Sequence, residues 1–510
     1  MKNIKKFSSK IVSLDILQKK IGKFPRKKKA ILCHGVFDIV HPGHIRHLVF
    51  AKSKADVLIV SITADRHIKK GTYRPHVPEN LRALNLSLFE IVDYVLIDQN
   101  PTPIKNIKLI KPDFYAKGYE YSKTKNSSAT QEEIETLKKI GSRMIFTPGD
   151  IVYSSSKLLN QNLPDLKYEK LNQLINQKKI DLNQVDQILD EIKNIKVHVI
   201  GDMIIDTYTQ GKSIGGQTKT PTLSIKVVEE TNYIGGAGIV AKHLRQAGAD
   251  VFLTTVIGHD KLGNFSKREL IRAGIKCCTI RDDSRPTVNK NVIIAENHRL
   301  IKLDKVENHP ISDHILKEVL ISVKKVKADI IIFSDFRHGI FNESSINQII
   351  KLAPKNSFKV ADSQVASRWG NITDFKNLDL ITPNEREARF SVGEQDASVQ
   401  GLADLVKSKS KVKNLILKLG EKGVLCSDGK NSFFSMDSFV EHLLDPVGSG
   451  DALLSYASLV YFKTKSLFLA SLIGSIAAAC ECEVNGNVPI SKKIIKLKLQ
   501  DIKNKIKFQQ

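Results

Sequence analysis

Ala30-Ile31-Leu32-Cys33-His34-Gly35-Val36-Phe37-Asp38-Ile39-Val40-His41-Pro42-Gly43-His44 decides how the first part of this chain is read. Four apolar residues run into a glycine turn, and Pro42 stands where a helix can begin. That order fits the first strand of a parallel α/β unit. Val197-His198-Val199-Ile200, running into Gly201-Asp202, repeats it much later. Short apolar runs alternate with helical patterns after each opening. In the first half they fall at 57–62, 94–97 and 143–146. In the second half they fall at 251–256, 330–333, 359–361, 378–381 and 415–418. This rhythm predicts two α/β units, each a sheet covered by helices.

The boundary is expected between about 160 and 196, a stretch rich in Asn, Gln and Lys. Its apolar residues Leu171, Leu174, Ile175, Leu182, Val185, Ile188, Leu189 and Ile192 are helically spaced, which predicts a helical linker over 161–195. The units are then 1–160 and 196–510. Residues 285–304 alternate like a hairpin and predict a small β lid. Ile495, Leu499, Ile502 and Ile506 place a helix near the C-terminus. Docking on the body is expected of it, with a membrane-surface helix as the alternative.

The chain has 510 residues and is 41% hydrophobic and 26% charged, which rules out wholesale disorder. No apolar run approaches the roughly 20 residues of a membrane helix, so no membrane insertion is expected. The opening MKNIKKFSSK lacks the apolar segment of a secretory signal. Six cysteines form no CxxC pair, and reduced thiols in a cytoplasmic enzyme are the expectation. The net charge of +25 raises nucleic acid as a partner. Its lysines are scattered, without interleaved aromatics, so no nucleic-acid partner is expected and phosphorylated metabolites suit the charge better.

His41 and His44 are three apart and share a face on a helical turn. Their imidazoles can donate hydrogen bonds to polyphosphate oxygens, and a helix N-terminus favours phosphate. This suits attack of a phosphate oxygen on a nucleotide α-phosphorus, where an enzyme positions and neutralises charge. A metal site is the rival use of such a pair. GVFDIVHPGHIRHL resembles the signature of the cytidylyltransferase-like nucleotidyltransferases. Pro78-Glu79-Asn80-Leu81-Arg82, Pro112 to Gly118 and Ser154-Ser155-Ser156-Lys157 extend the likeness over about 10–160. The resemblance implies a Rossmann-like unit. In it His41 and His44 act in catalysis, and Gly35, Phe37, Asp38, Gly43, Arg82, Ser154, Ser155 and Ser156 bind nucleotide.

Asp445-Pro446-Val447-Gly448-Ser449-Gly450-Asp451 opens an apolar helix. Backbone N–H groups there can receive transferred phosphoryl oxygens, and Asp451 can take a hydroxyl proton. Gly201-Asp202 with Asp206, Gly235-Gly236-Ala237-Gly238, Thr382 to Glu387 and Leu419 to Gly423 accompany it. In this order the set resembles the ribokinase-like sugar kinases over about 195–490. The resemblance implies ATP and Mg2+. Asp451 would be the base, and Gly448, Ser449 and Gly450 the anion hole. Gly420 would lie at the nucleotide. Asn384 and Glu387 would organise magnesium, which has no direct protein ligand. Asp202, Asp206, Gly235 and Gly236 would meet the sugar.

As a whole the chain resembles the family of bifunctional heptose 7-phosphate kinase/heptose 1-phosphate adenylyltransferases. Beside that family its two parts stand in opposite order. Ile239 stands where a sugar-binding Asn is usual, and Asn291 replaces a basic residue in the lid. The resemblance implies phosphorylation of a sugar phosphate from ATP. Nucleotidyl transfer to the sugar 1-phosphate then follows, from ATP or CTP, with pyrophosphate release. The alternatives are a CTP-dependent transferase whose kinase half has another sugar specificity or only a regulatory role, and a basic RNA-binding protein. Two copies are expected to pair.

Overall fold

The computed structural model describes residues 7–68, 75–118, 128–147, 167–216, 223–296, 298–364, 371–429 and 432–507. The chain divides into two compact units, Met1–Leu166 and Lys167–Gln510.

The first unit is built on a parallel sheet of β1 (Ala30–Gly35), β2 (Val57–Thr63), β3 (Tyr94–Asp98), β4 (Phe114–Gly118) and β5 (Arg143–Thr147). Its order is β3-β2-β1-β4-β5. Ile31 pairs with Leu58 on one side and Phe114 on the other. Helices cover both faces, so β1 is apolar on both: Ala30, Ile31, Leu32 and Cys33 are fully buried. Strand order reverses at β1. The crevice beyond the carboxyl ends of β1 and β4 is therefore where an open sheet holds a ligand. Helix α1 (Pro42–Lys52) starts there, with Pro42 in its first turn.

The second unit carries a nine-stranded sheet and a four-stranded one. The large sheet has β6 (Lys196–Gly201), β9 (Asp250–Ile257), β10 (Lys276–Arg281), β13 (Ile330–Asp335), β14 (Phe358–Ser363), β15 (Leu380–Ile381), β16 (Asn414–Lys418), β17 (Val424–Ser427) and β18 (Phe433–Met436). Its order is β10-β9-β6-β13-β14-β15-β16-β17-β18, parallel as far as β16. The smaller sheet, the lid, has β7 (Met203–Gly216), β8 (Leu223–Gly236), β11 (Val288–Ala295) and β12 (His298–Lys305), in the order β12-β11-β7-β8. The expected hairpin is β11–β12. The two long strands beside it were not anticipated. Much of β8 is exposed, so it lacks the apolar alternation that marks a half-buried strand.

Helices α2 (Lys167–Lys178) and α3 (Leu182–Glu191) occupy the segment expected as a linker. They pack on the second unit: Leu171, Ile175, Val185 and Leu189 join the core that also holds Val199 and Val251. The last helix, α4 (Lys492–Lys507), buries Ile495, Leu499, Ile502 and Ile506 in that core. Lys496 and Lys503 pair with Asp190 and Asp186 on α3. Its apolar stripe is thus covered by the body of the unit. Among the described residues, no helix is long and apolar enough to cross a membrane. All six cysteines are free thiols.

Candidate active sites

In the first unit His41 caps α1: its Nδ1 accepts the Gly43 N–H at 3.1 Å. Nδ1 is therefore unprotonated, and the proton sits on Nε2. Gly43 is required by this fold-back. A Cβ on it would lie 2.9 Å from His41 Cε1. The His41 and His44 rings lie 3.9 Å apart, and Phe37 stands 5.0 Å from His44. Phe37 holds a left-handed φ of 49°, a strained turn that sets its ring under Gly35. Burial, then the neighbouring His41 and His47, pushes His44 down to about 4, so its imidazole is neutral at pH 7. Burial likewise pushes His34, at the end of β1, down to about 4.

Two expected nucleotide contacts are placed otherwise. The Arg82 side chain is fully buried. Its Nε donates to Val77 O at 2.9 Å, one terminal nitrogen donates to Val36 O, and the other donates to Thr63 O and to Asp65 at 2.5 Å. Every branch of the guanidinium is spent on loops that shape the crevice. Asp38 is buried too, with Oδ1 accepting the Val77 N–H at 2.8 Å. Both residues tie the turn after β1 to the segment before Glu79. Ser154, Ser155 and Ser156 lie outside the described residues. Lys117, at the end of β4, pairs with Glu133 and donates to Thr130 at 3.1 Å. Among the described residues, no three His, Cys, Asp or Glu side chains group as a metal cage, so the rival metal use of His41 and His44 gains no third ligand.

In the second unit the helix Ser449–Thr464 begins at Gly448, whose φ is 87°. A Cβ there would lie 2.3 Å from Asn487 Oδ1, so only glycine admits this turn. Ser449 and Gly450 follow in the first turn, where N–H groups have no helical partner. Asp451 is 7% exposed. Burial, then the nearby Asp362, raises its carboxyl to about 8, while Lys418 pulls the other way.

Lys418 was not anticipated. It ends β16, and its Nζ bridges both Asp362 oxygens at 3.0 and 2.9 Å. A Cβ on Gly450 would stand 3.1 Å from that Nζ, which puts the ammonium at the anion-hole turn. Asn384 and Glu387 form a reciprocal cap. The Asn384 N–H donates to Glu387 Oε2 at 2.7 Å, and the Glu387 N–H donates to Asn384 Oδ1 at 2.8 Å. The NxxE pattern is thus first a helix start. Burial raises Glu387 to about 7. Three carboxyls, Asp362, Glu387 and Asp451, therefore share the field of one buried lysine. Gly420, at φ 62°, opens the turn after Lys418.

On the lid, Asp206 accepts from Asn487 Nδ2 at 3.2 Å. A Cβ on Gly235 would fall 2.1 Å from its Oδ2, so glycine lets the carboxylate sit there. Lys290 pairs in register with Asp206 and shares its face. Burial lowers the Lys290 ammonium, and Asp206 opposes that. Asn291 lies on the opposite face, accepting from Thr209 Oγ1 at 2.9 Å. The missing basic residue there is therefore not on Asp206's side. Asp202 is buried, and its carboxylate accepts the N–H groups of Phe336 at 3.0 Å, His338 at 3.2 Å and Ile340 at 3.5 Å. It holds a loop where a sugar contact was expected. Gly236, at φ 57°, precedes the helix that carries Ile239, which is fully buried.

Residues 194–492, more than half of the chain, match the pfkB family carbohydrate kinases, and the chain belongs to that family. Residues 32–161 match the cytidylyltransferase-like family, so the nucleotidyltransferase-like part is N-terminal and the kinase part C-terminal. Among curated relatives, the bifunctional protein HldE of Helicobacter acinonychis is 28% identical over 317 residues, covering 61% of this chain and 68% of that protein. HldE of Helicobacter hepaticus is 27% identical over 57% of this chain and 60% of its own length. For that of Trichlorobacter lovleyi the figures are 24%, 54% and 57%. The chain thus spans less than two thirds of these last two. Escherichia coli phosphofructokinase-2, solved with fructose-6-phosphate, has a TM-score of 0.52 at 15% identity. It covers 61% of this chain and 99% of its own, a likeness of fold.

Proposed function

We propose that the second unit transfers the γ-phosphoryl group of ATP to a hydroxyl of a sugar phosphate. The observation that carries this is Asp451, buried at the first turn of a helix beside Gly448, Ser449 and Gly450, with Lys418 at the same turn. A protonated, desolvated carboxyl raised to about 8 is poised to lose its proton when cations enter the site, and then to take the acceptor hydroxyl's proton. The amides and Lys418 offset charge on the transferred group. Magnesium, when bound, neutralises the polyphosphate. Glu387 and Asn384 would reach it through water, since Glu387 spends Oε2 on its cap. Asp206, Gly235 and Gly236 hold the acceptor, with Lys290 facing it.

The first unit joins to a nucleotide the sugar 1-phosphate that remains once a separate hydrolysis has removed the other phosphate of the kinase product. A phosphate oxygen attacks the α-phosphorus, and pyrophosphate leaves. Neutral His44 and the Nε2–H of His41 donate to the polyphosphate. The resemblance to bifunctional heptose enzymes and the HldE relatives support an activated heptose, destined for surface polysaccharide, as the product. The nucleotide is ATP or, in the alternative, CTP. Six free thiols fit the reducing cytoplasm. Ile214, Val227, Val228, Ile301 and Leu303 of the lid are exposed, which supports pairing of two copies. Supplying ATP, CTP and a panel of sugar phosphates, with mass detection of products, tests the reading. Neither ADP nor pyrophosphate from any sugar phosphate would overturn it.

A further inference from the structure

His338, on the loop after β13, is 4% exposed. Its Nδ1 stands 2.9 Å from Asn308 Oδ1, an oxygen that only accepts, so Nδ1 carries the proton and Nε2 keeps a lone pair. Among the described residues, that Nε2 is buried without a hydrogen-bond partner. A buried polar atom left unpaired is costly, and it calls for a ligand that pairs with it. The backbone around it is held from several sides. Arg337 takes a left-handed φ of 57°; its N–H donates to Asp335 Oδ1 at 2.8 Å, and its guanidinium pairs with Asp374 at 3.0 Å. The His338 N–H donates to Asp202, and its carbonyl accepts from Arg285 Nη1 at 3.0 Å. Strain at a non-glycine residue, next to an unsatisfied ring, marks a side chain fixed in place for function. The ring also shares the surroundings of Asp206. Asp206, Lys290 and Asp304 stand in register across β7, β11 and β12, and Lys302 lies two residues from Asp304 on the same face. The charges of Lys290 and Lys302 act on Asp206 and on His338 alike, and Asp202 and Asp304 are the anions near the ring.

We propose that His338 is a specificity-determining residue of the second unit, whose Nε2 accepts a hydrogen bond from one hydroxyl of the sugar phosphate, other than the hydroxyl that is phosphorylated. The two lysines disfavour a protonated ring, so the lone pair stays available. A phosphate dianion has no proton to give this nitrogen, which singles out a hydroxyl as its partner. An acceptor lacking that hydroxyl leaves Nε2 buried and unpaired, and the site rejects it for that reason. This rests on the reading of the second unit as a sugar-phosphate kinase with its acceptor at Asp206.

The test follows ADP release by the full chain with the sugar phosphate it uses fastest and with the monodeoxy analogues of that compound. His338→Ala raises KM for the sugar phosphate about tenfold and leaves KM for ATP unchanged. Wild type loses about tenfold in kcat/KM against one monodeoxy analogue, and His338→Ala loses nothing further against that one while keeping its full penalty against the others. His338→Gln, whose side-chain oxygen can accept, keeps more activity than His338→Ala. A penalty that is equal for every analogue, or absent, overturns the hydroxyl contact. So does uptake of a proton on sugar-phosphate binding in wild type but not in His338→Gln, read by calorimetry in two buffers, which would place a phosphate on a protonated ring. A wild-type chain that releases ADP with no sugar phosphate overturns the kinase reading itself, and this contact with it.

Discussion

Replacing Asp451 by Asn should stabilise the chain while silencing phosphoryl transfer, and the stabilisation should grow with pH. The Asp451 carboxyl sits at about 8 in the folded chain, raised chiefly by burial, against 3.8 for the free group. Between those values the folded state keeps a proton that the unfolded state has lost. A raised carboxyl therefore contributes stability that is complete below pH 3.8 and is lost as pH climbs through about 8. Each pH unit in that window is worth about 1.36 kcal/mol for one group. From pH 6 to pH 8 wild type should lose roughly 2–3 kcal/mol relative to Asp451→Asn. Glu387, at about 7, titrates in both proteins and largely cancels. Thermal melts at pH 6, 7 and 8 read the difference, with ADP release followed in parallel. A gap that stays constant or shrinks as pH rises would mean that Asp451 is already ionised at rest, and the argument for a poised base would be lost.

Three other perturbations separate the parts of the account. His44→Ala should abolish pyrophosphate release and leave ADP release intact; with wild-type His44 neutral above about pH 5, His44 should contribute no step to the pH profile of pyrophosphate release between pH 6 and 8. Lys418→Met leaves Asp362 buried without its cation and should cost about 3–5 kcal/mol in denaturant unfolding, most of it recovered when Asp362→Asn is added. Gly235→Ala drives a methyl into Asp206 and should raise KM for the acceptor several-fold while KM for ATP holds; a change confined to ATP would remove Asp206 from the acceptor site.

The parallel sheets were legible because β1, β6 and β13 are short apolar runs closed by glycine or acidic turns. The helix starts at Pro42 and Gly448 were legible for the same local reason: both depend on residue types whose backbone preference is intrinsic. What escaped was long-range. Nothing around Lys418 in sequence announces that Asp362 and Gly450 will meet it, since three separate strand and helix ends converge there. Arg82 was read from the resemblance as a nucleotide contact, yet the Asp65 carboxylate pairs its charge and three backbone carbonyls take its other donors in the interior. Asp202 was read from the resemblance as a sugar contact, yet the loop 336–340 arrives from β13 and donates its N–H groups to that carboxylate. The strand β8 was missed because much of it is exposed, and β7 because residues 203–209 are almost all buried, on both faces, so neither shows a period of two.

The most direct measurement follows ADP and pyrophosphate separately from one reaction of the purified chain with ATP, a sugar phosphate and a sugar 1-phosphate. Wild type should release both, Asp451→Asn only pyrophosphate when sugar 1-phosphate is supplied, and His44→Ala only ADP. Loss of both products in either variant would contradict two independent nucleotide sites.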